Sequence, residues 1–132
     1  MIKLLVIEDD EEMCEELKVV LEAENYFVKI FHSGDEGLNF IENDGYEIVL
    51  LDLKIPGISG REVLRRIKKN YPLIKVIVLT GSPIPKNFLQ EKEERELTND
   101  NSKDLVLQLA DYVINKPFDP SHLITIINKL KN

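Results

Sequence analysis

Three six-residue runs, Ile2–Ile7 (IKLLVI), Tyr46–Leu51 (YEIVLL) and Ile74–Leu79 (IKVIVL), are dominated by aliphatic side chains and show little polar alternation. Runs this short do not make helices of ordinary length, and runs this apolar do not lie with one face in water. Each therefore reads as a strand covered on both sides. A sheet covered on both sides needs helices above and below it, and parallel strands joined by helical crossovers supply them.

The segments between the runs carry those helices. Residues 11–24 set Met13, Leu17, Val20 and Leu21 at helical spacing among acids. Tyr26–Phe31 (YFVKIF) is a second strand, and the capping box Ser33-Gly34-Asp35-Glu36 opens a helix running to about Asn43. A second box, Ser59-Gly60-Arg61-Glu62, precedes a helix whose inner face holds Val63, Leu64 and Ile67. Asp111–Asn115 is a weaker fifth strand. Asp119-Pro120 caps a last helix with the stripe Leu123, Ile126, Ile127 and Leu130. Five strands alternating with five helices give an α/β fold with a parallel sheet. At 132 residues the chain is one domain with length enough for a single core.

From strand end to strand end the connections span 24, 21, 28 and 35 residues. The last and longest begins Gly81-Ser82-Pro83-Ile84-Pro85, continues through Gln90–Leu97 (QEKEEREL) and a polar turn at Thr98–Ser102, and ends in a second apolar stretch, Leu105–Leu109. It reads as a loop with an extended or broken surface helix, or as a surface particular to this chain's partners.

In doubly wound sheets the ligand site lies beyond the carboxyl ends of the strands. Here those ends carry Glu8-Asp9-Asp10, Asp52, Thr80 and Asn115-Lys116-Pro117-Phe118. Carboxylates crowded onto one rim repel unless a cation or protons offset them. Mg²⁺, a hard ion that accepts one or two carboxylates, waters and a phosphoryl oxygen, answers that need. The Thr80 hydroxyl and the Lys116 ammonium would complete a site for a bound oxyanion. Singly, each residue has a plainer reading. Asp10 and Glu11 suit the start of a helix, Asp52 suits a turn, and Thr80 and Lys116 suit any strand end or loop. Their convergence at the strand ends is what points to chemistry. His32 and His122 stand apart from that rim and read as ordinary surface or helix-start histidines. Cys14 reads as a small helix residue.

The motifs LLVIEDD (Leu4–Asp10), IVLLDLKIPGISG (Ile48–Gly60), VIVLTG (Val76–Gly81) and NKPF (Asn115–Phe118) resemble the receiver domain of two-component response regulators, the CheY-like family. The second motif is the most specific, with Asp52, Pro56 and Gly60 at the family's spacing. The resemblance implies a three-layer αβα sandwich whose doubly wound five-stranded parallel sheet has the order 2-1-3-4-5. It covers residues 1–132 as one receiver domain and leaves no room for an output domain. It implies that Asp52 is the phospho-acceptor and that Glu8, Asp9, Asp52 and the backbone carbonyl of Lys54 hold Mg²⁺. Thr80 would bond the phosphoryl group and move with it. Lys116 would pair with Asp52 before transfer and with a phosphoryl oxygen after it, and Lys116-Pro117 resembles the family's cis peptide. The implied activity is that of a regulatory domain catalysing only its own phosphorylation and dephosphorylation. The implied partners are a sensor histidine kinase or phosphotransfer protein and a downstream protein target, with a monomer or a phosphorylation-dependent dimer as the working state.

Two features depart from the family pattern. Val113 stands where an aromatic is usual, with Tyr112 one residue earlier, and the crossover after Thr80 is long. Val113 keeps open a degenerate receiver that acts as an interaction module. A Mg²⁺-dependent phosphatase of the haloacid-dehalogenase type is disfavoured, because Lys54 stands where such enzymes need a second carboxylate. Lys54 and Ser82 sit beside the site, where they can tune phosphoryl lifetime.

Charge sharpens the picture. Of the net charge of −7, all resides in residues 1–24, which hold nine acids and two bases, while the remaining 108 residues balance. The acidic excess argues against direct nucleic-acid binding and against anionic membranes. It places Glu11, Glu12, Glu15 and Glu16 as an acidic helix available to a kinase or phosphatase. A single cysteine and the absence of a long apolar span fit a cytoplasmic protein.

Overall fold

The computed structural model describes residues 1–43, 45–81 and 105–131. Five strands, β1 (Lys3–Ile7), β2 (Phe27–Phe31), β3 (Ile48–Asp52), β4 (Lys75–Thr80) and β5 (Tyr112–Asn115), form one sheet of order β2-β1-β3-β4-β5, every pair parallel. Among the described residues four helices cover it: α1 (Glu11–Ala23), α2 (Gly34–Asn43), α3 (Gly60–Asn70) and α4 (Pro120–Leu130). The fold is the three-layer, doubly wound α/β sandwich expected. The candidate helix at Gln90–Leu97 lies outside the described residues, as does Ser82. The apolar stretch after it resolves into a 3-10 turn, Leu107–Leu109, whose buried Leu107 packs in the core beside α3.

The two-residue period of the strands sorts the core into two layers. Leu4, Val6, Ile48, Leu50, Ile77, Leu79 and Ile114 face α1 and α4, where they meet Cys14, Leu17, Leu21, Leu123, Ile126 and Ile127. Leu5, Ile7, Val49, Leu51, Val76, Val78 and Val113 face the other way, onto Ile41 of α2 and Val63, Leu64 and Ile67 of α3. Fully burying each large aliphatic is worth roughly 1.5–3 kcal/mol, so both layers drive folding.

Helix starts follow the capping residues. The Asp10 side chain accepts the Met13 N–H, Ser59 accepts the Glu62 N–H, and Asp119 accepts the Ser121 N–H ahead of Pro120. At α2 the Ser33 hydroxyl accepts the Glu36 N–H and donates to the Glu36 carboxylate.

One polar staple ties the opposite end of the sheet. Asp111 Oδ2 accepts both Lys68 Nζ (2.7 Å) and the Val76 N–H (2.8 Å), joining α3, β4 and the approach to β5. Lys68 also donates to the Ile74 carbonyl. Removing the carboxylate strands the enclosed Val76 N–H and leaves the Lys68 ammonium with only the Ile74 carbonyl. Asp111→Ala is therefore expected to lower stability by about 2 kcal/mol, read by urea unfolding. Asp111→Asn, which keeps an oxygen for Val76, should cost about half as much.

Candidate functional site

Apart from two tyrosines and Cys14, the buried polar side chains among the described residues are Glu8, Asp52 and Thr80. All three stand at the carboxyl ends of strands, at one rim of an otherwise apolar core. Buried polar groups are costly unless partnered, so their partners define the site.

Strand alternation sets the geometry. Glu8 continues the series Leu4, Val6; Asp52 continues Ile48, Leu50; Lys116 follows Ile114. The three therefore emerge on the α1–α4 side of the sheet. There Lys116 Nζ donates to Glu8 Oε1 at 2.5 Å and to Asp52 Oδ2 at 3.1 Å. Asp52 Oδ1 accepts the Lys54 N–H at 3.1 Å, so Asp52 is also the turn residue that its position suggested. Glu8 Oε2 accepts the Asp9 N–H. Oxygens of Glu8, Asp9 and Asp52 all lie within 4.8 Å of one another.

Thr80 is placed differently. It follows Val76 and Val78, which face α2 and α3. Its carbonyl accepts the Lys116 N–H at 2.7 Å, in register with Asn115. Thr80 thus aligns the main chain that carries the lysine. The Lys116–Pro117 peptide is cis. Val113 is fully buried on the α3 side, whereas Tyr112 meets the His122 ring edge-on at 6.3 Å on the opposite side. Tyr112 does not stand in for an aromatic at 113.

The electrostatics follow from one cation between two acids. Burial, together with the hydrogen bond to Asp52, pushes the Glu8 carboxyl up to about 7. Burial pushes Asp52 the same way, but hydrogen bonds from Glu8, the Lys54 amide and Lys116 outweigh it and hold its carboxyl below the usual range. Burial disfavours the Lys116 charge, yet its bonds to Glu8 and Asp52 outweigh that and raise its pKa. Of the two acids, Glu8 is the one shifted toward its protonated form and Asp52 the one held toward its anion. Cys14, pushed up to about 12 by burial and neighbouring acids, is a thiol and not a thiolate.

His32 corrects the sequence reading. Far from standing apart, it lies just past β2 with Nδ1 2.8 Å from the Glu8 carbonyl. Asp10 caps α1 and is not among the clustered carboxylates.

The chain matches the response regulator receiver domain over residues 4–128. It is 38% identical over 124 residues to an uncharacterized transcriptional regulatory protein, YkoG, of Bacillus subtilis, covering 94% of this chain and 48% of that one. It is 31% identical over 130 residues to the response regulator ArlR of Staphylococcus saprophyticus, covering 98% and 52%. The chain thus spans about half the length of the curated relatives it matches. The response regulator protein TrrA of Thermotoga maritima, solved with Mg²⁺–BeF, superposes with a TM-score of 0.79 at 31% identity, covering 98% of this chain and 99% of that one. A complex of the histidine kinase ThkA with TrrA gives a TM-score of 0.79 at 29% identity, with 98% of each chain covered. A match over nearly the whole length and a shared sheet order agree: the chain belongs to the response regulator receiver domain family.

Proposed function

We propose that Asp52 accepts a phosphoryl group in a Mg²⁺-dependent reaction and that the change is read at the surface of the domain. The observation that carries this reading is the concentration of the buried Glu8, Asp52 and Thr80 side chains at one strand-end rim, with Lys116 bridging Glu8 and Asp52. Three clustered carboxylates are hard oxygen donors and fit a small divalent ion. Glu8, Asp9, Asp52 and the Lys54 carbonyl are the groups that would hold it. When bound, Mg²⁺ supplies positive charge against the oxygens of the group being transferred.

The chain's own residues do the rest. Lys116 and the Lys54 amide hold the Asp52 carboxylate ionised and aimed. One of its oxygens attacks phosphorus as the P–N bond of a phosphohistidine breaks; the imidazole keeps the electron pair and takes a proton, and an acyl phosphate remains. Thr80 and Lys116 then have new oxygens to bond, which biases the domain between two surface arrangements. The donor is a sensor histidine kinase or phosphotransfer protein, a reading supported by the complex that the related TrrA forms with a histidine kinase, and the output is a downstream protein target. The catalysis is self-directed, that of a regulatory domain. Since relatives of about twice this length are transcriptional regulatory proteins, the acidic charge of these residues carries no argument about nucleic acid beyond the chain itself. No helix among the described residues is long and apolar enough to cross a membrane.

The test is incubation with Mg²⁺ and acetyl phosphate, followed by intact mass. One added phosphoryl group is expected. Fast turnover of generic phosphate esters, or no adduct at all, overturns the reading.

A pH dependence follows. Ion binding needs Glu8 ionised, and its carboxyl titrates at about 7. Affinity for Mg²⁺ therefore rises with pH through neutrality, by about tenfold between roughly pH 6 and 8, as the proton released per ion bound falls from nearly one at the lower pH to almost none at the higher. Calorimetric titration in buffers of different ionisation enthalpy counts that proton.

A further inference from the structure

Every polar atom of Glu8 is held. Its N–H donates to the Phe31 carbonyl at 3.0 Å, the last bond of the β1–β2 ladder. Its carboxylate takes Lys116 and the Asp9 N–H. Its carbonyl accepts from His32 Nδ1 at 2.8 Å and from the Cys14 thiol at 3.4 Å. Because the Phe27 N–H bonds the Ile2 carbonyl, a parallel ladder continued past β2 would bring the Ser33 N–H onto the Glu8 carbonyl. The chain does not continue so, because Ser33 turns away to cap α2. The His32 imidazole supplies the missing donor. A carbonyl carries no proton, so Nδ1 must be the protonated nitrogen.

That carbonyl belongs to the peptide joining Glu8 to Asp9. The plane is rigid: its C=O end is fixed by His32 and its N–H end by the Glu8 carboxylate. The orientation of this plane decides where Asp9 leaves β1. We propose that His32 is a positioning residue of the acidic site, holding the Glu8–Asp9 peptide so that the Asp9 carboxylate faces Asp52. The inference rests on the metal-binding reading above. It adds a residue that touches neither ion nor phosphoryl group.

The variants are His32→Leu, which removes the donor, and His32→Asn, whose side-chain N–H can replace Nδ1–H. In the metal-free protein, His32→Leu should speed hydrogen exchange at the Asp9 amide while His32→Asn leaves it near wild type. Mg²⁺ titration should show affinity about tenfold weaker in His32→Leu and within about twofold of wild type in His32→Asn. At saturating Mg²⁺ the acetyl phosphate rate should return to near wild type in both, since Asp52 and Lys116 are untouched. Wild-type Mg²⁺ affinity in His32→Leu, or an equal loss in His32→Asn, overturns the positioning role. So does a loss matched by an equal drop in unfolding free energy of the metal-free protein. A wild-type protein that binds no Mg²⁺ instead overturns the reading of the site itself.

Discussion

Asp52→Asn is expected to take up no phosphoryl group from acetyl phosphate under conditions where the wild type gains one, a loss of at least about a thousandfold. The amide oxygen of asparagine can still accept the Lys54 N–H, so the turn after β3 survives. What disappears is the anion. Among the neighbouring carboxylates, Glu8 is shifted toward its protonated form by burial, with one oxygen on Lys116 and the other on the Asp9 N–H. Asp9 is exposed and has no lysine on its side chain in the described contacts. Neither combines burial, ionisation and a cation as Asp52 does. Intact mass reads the result, and urea unfolding shows whether the variant is folded. A folded Asp52→Asn that still gains the mass moves the acceptor elsewhere.

The second large effect is on stability. Gly60 opens α3 directly under the loop that follows Asp52. A Cβ there would collide with the Leu53 Cα and would lie 2.7 Å from both the Asp52 and Leu53 carbonyl oxygens. All three obstacles are backbone, so no side chain can swing aside. Gly60→Ala should therefore cost about 3 kcal/mol, seen as a lower urea midpoint. Gly45→Ala is the control. Nothing lies within 4 Å of its new methyl, and its change should stay within about 0.5 kcal/mol. Because Gly60 braces the main chain of Asp52 itself, Gly60→Ala should also slow the proposed phosphorylation in the fraction that remains folded. Equal stability of the two alanine variants would show that the Asp52–Leu53 backbone yields, contrary to its packing.

The aliphatic runs made the sheet legible because burial on both faces leaves no room for polar alternation. The strand limits were less legible. Tyr46 lies before β3, while Asp52 and Thr80 lie inside β3 and β4. Hydropathy ends where the side chains turn polar, whereas backbone pairing continues as long as a neighbour is in register, as Asp52 is with Leu79 and Thr80 with Asn115. Glu8, Asp52 and Lys116 could be read as a group because each ends a run. His32 could not. Its one described bond goes to a main-chain carbonyl 24 residues away, and no side-chain pattern records that. Asp111 has the same history: placed in the fifth strand by its neighbours, it stands just before β5 as the anchor of Lys68.

Lys116 has a consequence for the order of events in the life of the protein. A cluster of acids with no cation of its own makes folding wait for a metal, as in small zinc domains that are unfolded without it. Here the ammonium is covalently part of the chain and reaches both buried acids as soon as β5 joins the sheet. The fold thus carries its own counter-charge for both acids, and chelation should leave the unfolding midpoint nearly unchanged. In the function proposed above, magnesium would be an exchangeable reagent, free to come and go while the scaffold stays assembled.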